Sequence, residues 1–350
     1  MNVYNDGTHS GGGGRGTSIG MYGDTGLTTE AGSDSEAGLH KERLAERRVL
    51  FMGLPRSGKT SIIKVVLEDE MAYDTLALLP TRQRTEYRML AGITVYDFPG
   101  IDDYSDAQYY IDPDVYVGEN TVVAYVIDSQ SDIQSSISTL LSVIRQAQAV
   151  NYEITINVLI NKIDGLSDEL KQDIQHDIQQ RVLKMISYEN FNPNHINFAL
   201  TTIYNESIRE AFSRVIQYLV PQHSTLEAIL NSFCSKSSLE KVFLFDIHTK
   251  IYIATDLSPT SSQRYHFACK TIDVLDEMTI LCGPYASVND EDKLLQRINV
   301  TLEGYDSVFI FQVTPNLVLF CSGSPQVIRQ TSLLDFNASK VAKAIRKILH

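Results

Sequence analysis

The chain contains no tryptophan, only four cysteines in 350 residues, and a shortage of positive charge. Its 30 Lys and Arg face 43 Asp and Glu, a formal net charge of −13. That balance excludes a protein that coats nucleic acid through its overall field, while leaving room for a local basic patch. The cysteines (Cys234, Cys269, Cys282 and Cys321) are widely spaced and form no CxxC pair. No histidine cluster accompanies them at metal-ligand spacing, so they are expected to be reduced, mostly buried thiols of a cytosolic protein. No apolar run approaches the ~20 residues of a membrane-spanning helix. The start has no apolar stretch behind basic residues, so it does not read as a secretory signal. Met1-Asn2 offers no second-position glycine for myristoylation, and Ile348-Leu349-His350 is no prenylation box. Any membrane residence is therefore expected to be borrowed from partners, without direct insertion.

What is present is an ordinary globular composition, 43% hydrophobic and 21% charged, long enough for two cores. Residues 1–45 are rich in Gly, Ser, Thr and Asp, include Gly11-Gly12-Gly13-Gly14, and read as a disordered tail. The charged stretch Lys41 to Arg48 reads as a solvated face leading into the first strand. Over residues 46–221 short apolar runs alternate with amphipathic stretches. The runs are Val49 to Met52, Ile93 to Tyr96, Val122 to Ile127, Ile156 to Ile160 and Ile196 to Leu200; Ile133 to Val150 and Asp168 to Ile186 have helical periodicity. This alternation predicts an α/β domain on a mainly parallel sheet with helices on both faces. Pro221-Gln222-His223-Ser224 marks a boundary, and residues 222–350 read differently. Val242 to Asp246 and Ile251 to Ala254 suggest a hairpin, and Ser262 to Met278 a helix. Ile298 to Leu302, Ser307 to Val313 and Leu317 to Cys321 are strand candidates, with a terminal helix over Ala338 to Leu349. Together they predict an α+β domain with an antiparallel sheet.

Gly53-Leu54-Pro55-Arg56-Ser57-Gly58-Lys59-Thr60 matches the P-loop pattern, directly after a strand and before a helix. The backbone N–H groups of such a loop, from Gly53 through Arg56, Ser57 and Gly58 to Ser61, cradle anionic phosphate oxygens. Lys59 is expected to reach the β- and γ-phosphates and the Thr60 hydroxyl to ligate Mg²⁺. Pro55 supplies no N–H, and Leu54 and Arg56 are bulky for this loop.

A P-loop leaves kinases, ATPases and GTPases open. Asp97-Phe98-Pro99-Gly100 has the D-x-x-G form at a strand end, where an Asp can hold Mg²⁺ through water and the Gly100 N–H can sense the γ-phosphate. Asn161-Lys162-Ile163-Asp164 has the N-K-x-D form at a later strand end. A carboxylate at Asp164 accepts two N–H bonds from guanine, which adenine cannot offer, and a buried group left unpaired by the wrong base discriminates steeply. Lys162 is expected along the base plane. Three motifs in this order, each at a strand's C-terminal end, point to GTP or GDP with Mg²⁺ as the ligands.

These motifs resemble the Ras-like GTPases, and the longer text resembles the Rag GTPases of the C/D type. The resemblance is carried by Asp97 to Gly100, Tyr125-Val126-Ile127-Asp128-Ser129-Gln130, Lys162 to Ser167, Thr202-Ile203-Tyr204, Ala211-Phe212-Ser213, Phe243 to Asp246 and Lys250 to Asp256. It implies a Ras-like P-loop GTPase domain followed by a roadblock-like dimerisation domain. It also implies a heterodimer with a Rag A/B-type subunit, relaying amino-acid sufficiency to the target-of-rapamycin complex. A lipid-anchored scaffold would hold the pair at the lysosomal or vacuolar membrane surface. Thr75 to Thr81 resembles the segment whose last Thr meets Mg²⁺ and γ-phosphate, which assigns that role to Thr81, with Thr85 as competitor. Thr202 and Ile203 fall on the guanine side.

One departure stands out. Ile101 follows Gly100 where the family typically has Gln, and an aliphatic side chain cannot orient water, so hydrolysis is expected no faster than the ~10⁻⁴ per second of an unaided Ras-type site. Two alternatives remain open at this stage: a scaffold with a degenerate nucleotide pocket, motivated by Pro55 and Ile101, and a P-loop ATPase or kinase. Asp246, His248 and His266 have no catalytic spacing and read as structural polar residues.

Overall fold

In the computed structural model the described residues are 46–89, 92–100, 120–189, 191–282, 297–300 and 307–349, with side chains left aside at 276, 278–282 and 297–300. The 1–45 tail and Ile101 lie outside them.

The first layer grows from strands that are apolar on both faces. β1 (Arg47–Met52), β3 (Ile93–Asp97), β4 (Thr121–Asp128), β5 (Thr155–Asn161) and β6 (Ile196–Leu200) pair in parallel, and β4 is buried along almost its whole length. Continuous rather than alternating apolarity is what a sheet covered on both faces requires. Among the described residues the strand order is β2-β3-β1-β4-β5-β6, with β2 (Thr85–Arg88) an antiparallel edge strand. The apolar-run reading did not anticipate β2, because Thr-Glu-Tyr-Arg is polar and exposed.

Helices α1 (Lys59–Leu67), α2 (Ile133–Val150), α3 (Asp168–Ile186) and α4 (Ser207–Gln217) cover this sheet. Ile62, Ile63 and Val66 of α1 pack with Phe212 and Val215 of α4 on the face carrying Val49 and Phe51. Ile137 and Leu140 of α2 pack with Ile178 and Val182 of α3 on the face carrying Leu50 and Met52. Side-chain caps set two of the starts. The Asp132 carboxylate accepts the N–H groups of Gln134 and Ser135, and Ser167 Oγ accepts that of Leu170.

A second sheet has the order β8-β7-β11-β10-β9, built from β7 (Lys241–Asp246), β8 (Tyr252–Thr255), β9 (Arg297–Val300), β10 (Ser307–Gln312) and β11 (Leu317–Gly323). All its pairings are antiparallel. On one face α6 (Ser262–Cys282) lays Tyr265, Ala268 and Ile272 against Phe243, Phe245, Tyr252 and Phe320. On the other, α5 (His223–Lys236) and α8 (Thr331–Leu349) bury Leu226, Leu230, Leu334 and Ala338 over Val242, Leu244 and Leu319. A short helix, α7 (Pro325–Ile328), precedes α8. This is the α+β arrangement expected of a roadblock-like domain. The terminal helix starts seven residues earlier than the sequence suggested, since exposed Leu333 and Phe336 blur the apolar face that Leu334 and Ala338 bury.

The cluster beneath α4 is continuous with the one between the second sheet and α5 and α8. At the junction the buried Ser213 Oγ of α4 donates to Arg209 O at 2.7 Å and accepts the Tyr252 N–H of β8 at 3.1 Å. Cys234, Cys269 and Cys321 are free and buried, and burial pushes the Cys269 thiol up to about 12. Among the described residues no helix is long and apolar enough to cross a membrane.

Candidate functional site

The C-terminal ends of β1, β3, β4 and β5 open onto a cavity of about 750 Å³. Arg56, Gly58, Lys59, Thr60, Ser61, Thr81, Gly100, Asn161, Lys162, Asp164 and Ile203 line it; Gly53, Ser57, Asp97 and Thr202 stand behind that lining. Residues spread over 150 positions of sequence are thus brought to one crevice at the sheet's carboxyl edge, where open α/β sheets bind ligands.

The P-loop needs glycine where backbone meets backbone. Gly53 has φ 140°, and a Cβ there would lie 2.4 Å from Val126 O. Gly58 has φ 101°, and its Cβ would lie 2.5 Å from Asn161 Nδ2. A Cβ on Gly100 would meet Pro55 Cα at 2.4 Å, so the D-x-x-G turn rests directly on the P-loop. Lys59 opens α1 and folds over the loop, donating to Gly53 O at 3.0 Å and Leu54 O at 2.9 Å. Burial lowers its pKa to about 8, against the opposing pull of Asp97.

Three oxygen-bearing side chains converge beside it. Thr60 Oγ1 donates to Asp97 Oδ2 at 2.6 Å and lies 2.8 Å from Thr81 Oγ1; Thr81 Oγ1 donates to the same carboxylate oxygen at 3.3 Å. Asp97 Oδ1 is buried without a hydrogen-bond partner. Burial pushes the Asp97 carboxyl up, resisted by Thr60, Lys59 and Thr81. An all-oxygen donor set with one orphaned carboxylate oxygen fits a hard cation of the Mg²⁺ kind. Thr85, exposed at the start of β2, meets Asp97 through the backbone ladder, whereas it is the Thr81 hydroxyl that joins Thr60 and the Asp97 carboxylate.

The base-side corner is tied to the phosphate side. Asn161 Nδ2 donates to Ser57 O at 3.0 Å, and Lys162 Nζ donates to Arg56 O at 2.7 Å. Asp164 Oδ1 accepts the Thr202 hydroxyl at 2.8 Å, which orients the carboxylate at the cavity wall. Gln130, Tyr204, Leu76 and Leu79 also line the cavity without having been singled out from sequence. Gln130 and Tyr204 lay inside segments that carried the resemblance, but nothing in their residue type marked a role. Asp246 instead accepts the Thr249 N–H and hydroxyl, closing the turn after β7, and His266 pairs with Glu206. Among the described residues no group of three or more His, Cys, Asp or Glu is placed to hold a metal.

A sequence profile of the Gtr1/RagA G protein conserved region matches residues 48–272. Ras-related GTP-binding protein D of Mus musculus is 36% identical over 313 residues, covering 86% of this chain and 68% of that protein. Ras-related GTP-binding protein C of Homo sapiens is 35% identical over 307 residues, covering 86% of this chain and 76% of that protein. GTP-binding protein gtr2 of Schizosaccharomyces pombe is 36% identical over 312 residues, covering 86% of this chain and 98% of that protein. Among solved structures, Myxococcus xanthus MglB aligns at 15% identity with a TM-score of 0.31, covering 36% of this chain and 96% of that one. With the family region matched over more than half of this chain and relatives of 36% identity covered over two thirds or more of their length, the chain belongs to the Gtr1/RagA family of G proteins.

Proposed function

We propose that the chain is a guanine-nucleotide-regulated GTPase of the Rag C/D type whose output is partner binding. The observation that carries this reading is the meeting of the Lys59 phosphate loop, the Thr60–Thr81–Asp97 oxygen cluster and the Asp164 carboxylate on one cavity. In this reading Gly53, Arg56, Ser57, Gly58, Lys59, Thr60, Ser61 and Gly100 hold the phosphates of GTP or GDP. Thr60, Thr81 and Asp97 would hold Mg²⁺, which when bound would supply positive charge to neutralise the phosphates. Asn161, Lys162, Asp164, Thr202 and Ile203 hold guanine.

Residues 46–221 then act as the nucleotide domain, and residues 222–350 as the module that pairs with a Rag A/B-type subunit. The pair relays amino-acid sufficiency to the target-of-rapamycin complex from the lysosomal or vacuolar surface, where a lipid-anchored scaffold holds it. The names of the mammalian C and D proteins and of gtr2, each a GTP-binding protein, support the guanine-nucleotide part of this assignment. Co-expression with an A/B-type subunit, pulldown, and identification of the retained nucleotide tests it. A one-to-one complex carrying GTP or GDP is expected; a nucleotide-free chain that captures no such subunit sinks the proposal.

Hydrolysis is slow, because Ile101 supplies no group to orient water. A single-turnover assay of the isolated chain should give a rate on the order of 10⁻⁴ per second or lower. Rapid unassisted turnover would contradict this.

A further inference from the structure

We propose that Asp128 is a positioning residue: its carboxylate holds the Lys162 ammonium so that phosphate loop and base-reading corner form one unit. The inference rests on reading the cavity as a nucleotide site. Asp128 ends β4 in register with Asn161 at the end of β5. Its two oxygens have separate duties. Oδ1 accepts the Gln130 N–H at 2.9 Å, shaping the turn after β4, and Oδ2 accepts Lys162 Nζ at 2.7 Å. The carboxylate is 13% exposed and the lysine side chain 39%, so the pair is partly shielded from water.

Lys162 needs such a hold. It has φ 65°, a left-handed conformation that a non-glycine residue adopts only when its surroundings impose it. Its carbonyl accepts the Gln130 amide at 2.7 Å and the Ser129 hydroxyl at 3.1 Å. Its ammonium reaches Arg56 O at 2.7 Å, and Arg56 is itself left-handed at φ 62°. Two strained backbones, one on each side of the cavity, are therefore joined through one ammonium whose direction Asp128 fixes. A charge-assisted bond of this kind is about twice as strong as a neutral one.

Asp128→Asn keeps an oxygen for the Gln130 N–H and removes the charge facing Lys162; Asp128→Ala removes both. Release of labelled GDP and GTP would be followed by displacement for these variants, for Lys162→Met and for the Asp128→Asn/Lys162→Met double variant, with melting temperatures alongside. Asp128→Asn should release both nucleotides about tenfold faster, the scale of one lost charge-assisted hydrogen bond, with the nucleotide-free melting temperature lowered by no more than a few degrees. The double variant should release no faster than Lys162→Met alone. Wild-type release by Asp128→Asn, with acceleration only in Asp128→Ala, would reduce Asp128 to a turn residue and overturn the inference alone. Additive effects in the double variant would do the same. Failure of the wild type to bind either nucleotide would overturn the site reading, and the inference with it.

Discussion

Burial holds the Lys59 ammonium at a pKa of about 8, so its charge changes within the range of common buffers. Phosphates favour the charged form, so nucleotide binding raises this pKa and takes up a proton above pH 8. Affinity should therefore fall as pH rises: about fourfold between pH 7 and 8.5 if the bound-state pKa is near that of an ordinary lysine. Titration calorimetry at both pH values measures it, with Lys59→Met as a control whose weaker affinity should lose this dependence. A flat profile in the unsubstituted chain would show that Lys59 carries no such role. At this scale the meeting of Lys59, Thr60 and Asp164 at one cavity was legible because each motif fixes a residue type at a strand end. Thr81 and Thr85 could not be separated by pattern, since both are threonines in a polar stretch; the bonds joining Thr81 to Thr60 and Asp97 separate them. Asp128 was invisible as a functional residue because its partner Lys162 lies 34 positions away.

Helix α4 carries two jobs at once, covering the first sheet and seating β8 of the second. Ser213 performs the second job: its hydroxyl is the acceptor for a buried Tyr252 N–H. Ser213→Ala leaves that donor unpaired and should destabilise the protein by about 1–3 kcal/mol in urea unfolding. A change near zero would mean the junction re-forms without it. The elements best anticipated by sequence were α2 and α3, whose ends carry Asp132 and Ser167 caps and whose apolar residues repeat on one face. Helix α5 gave no such sign, because it begins at a left-handed Gln222 with no side-chain cap. The edge strand β2 was equally silent, being exposed and polar with antiparallel pairing on one side only.

Across the whole molecule, one apolar cluster runs from Val49 and Phe51 through Phe212 and Leu219 to Leu230, Leu319 and Ile345. Phe212 stacks on Phe51 with ring centroids 5.5 Å apart, so the first sheet is packed against the helix that seats the second. The protein should unfold in a single calorimetric transition despite its two sheets, and Phe212→Ala should destabilise it as one unit, by about 3–5 kcal/mol. Two separated transitions would show that the sheets are independently stable. The alternation of strands and helices, followed by clustered strands, announced two layered units; nothing in a linear pattern announces that their cores merge.

The central claim is that Asp164 reads guanine in a P-loop cavity. Equilibrium binding of GTP, ATP and xanthosine triphosphate to the unsubstituted chain and to Asp164→Asn tests it most directly. The account predicts a preference for GTP over ATP of at least about 100-fold, and a shift toward the xanthosine nucleotide in the variant. Equal affinity for GTP and ATP, or a preference untouched by Asp164→Asn, would contradict it.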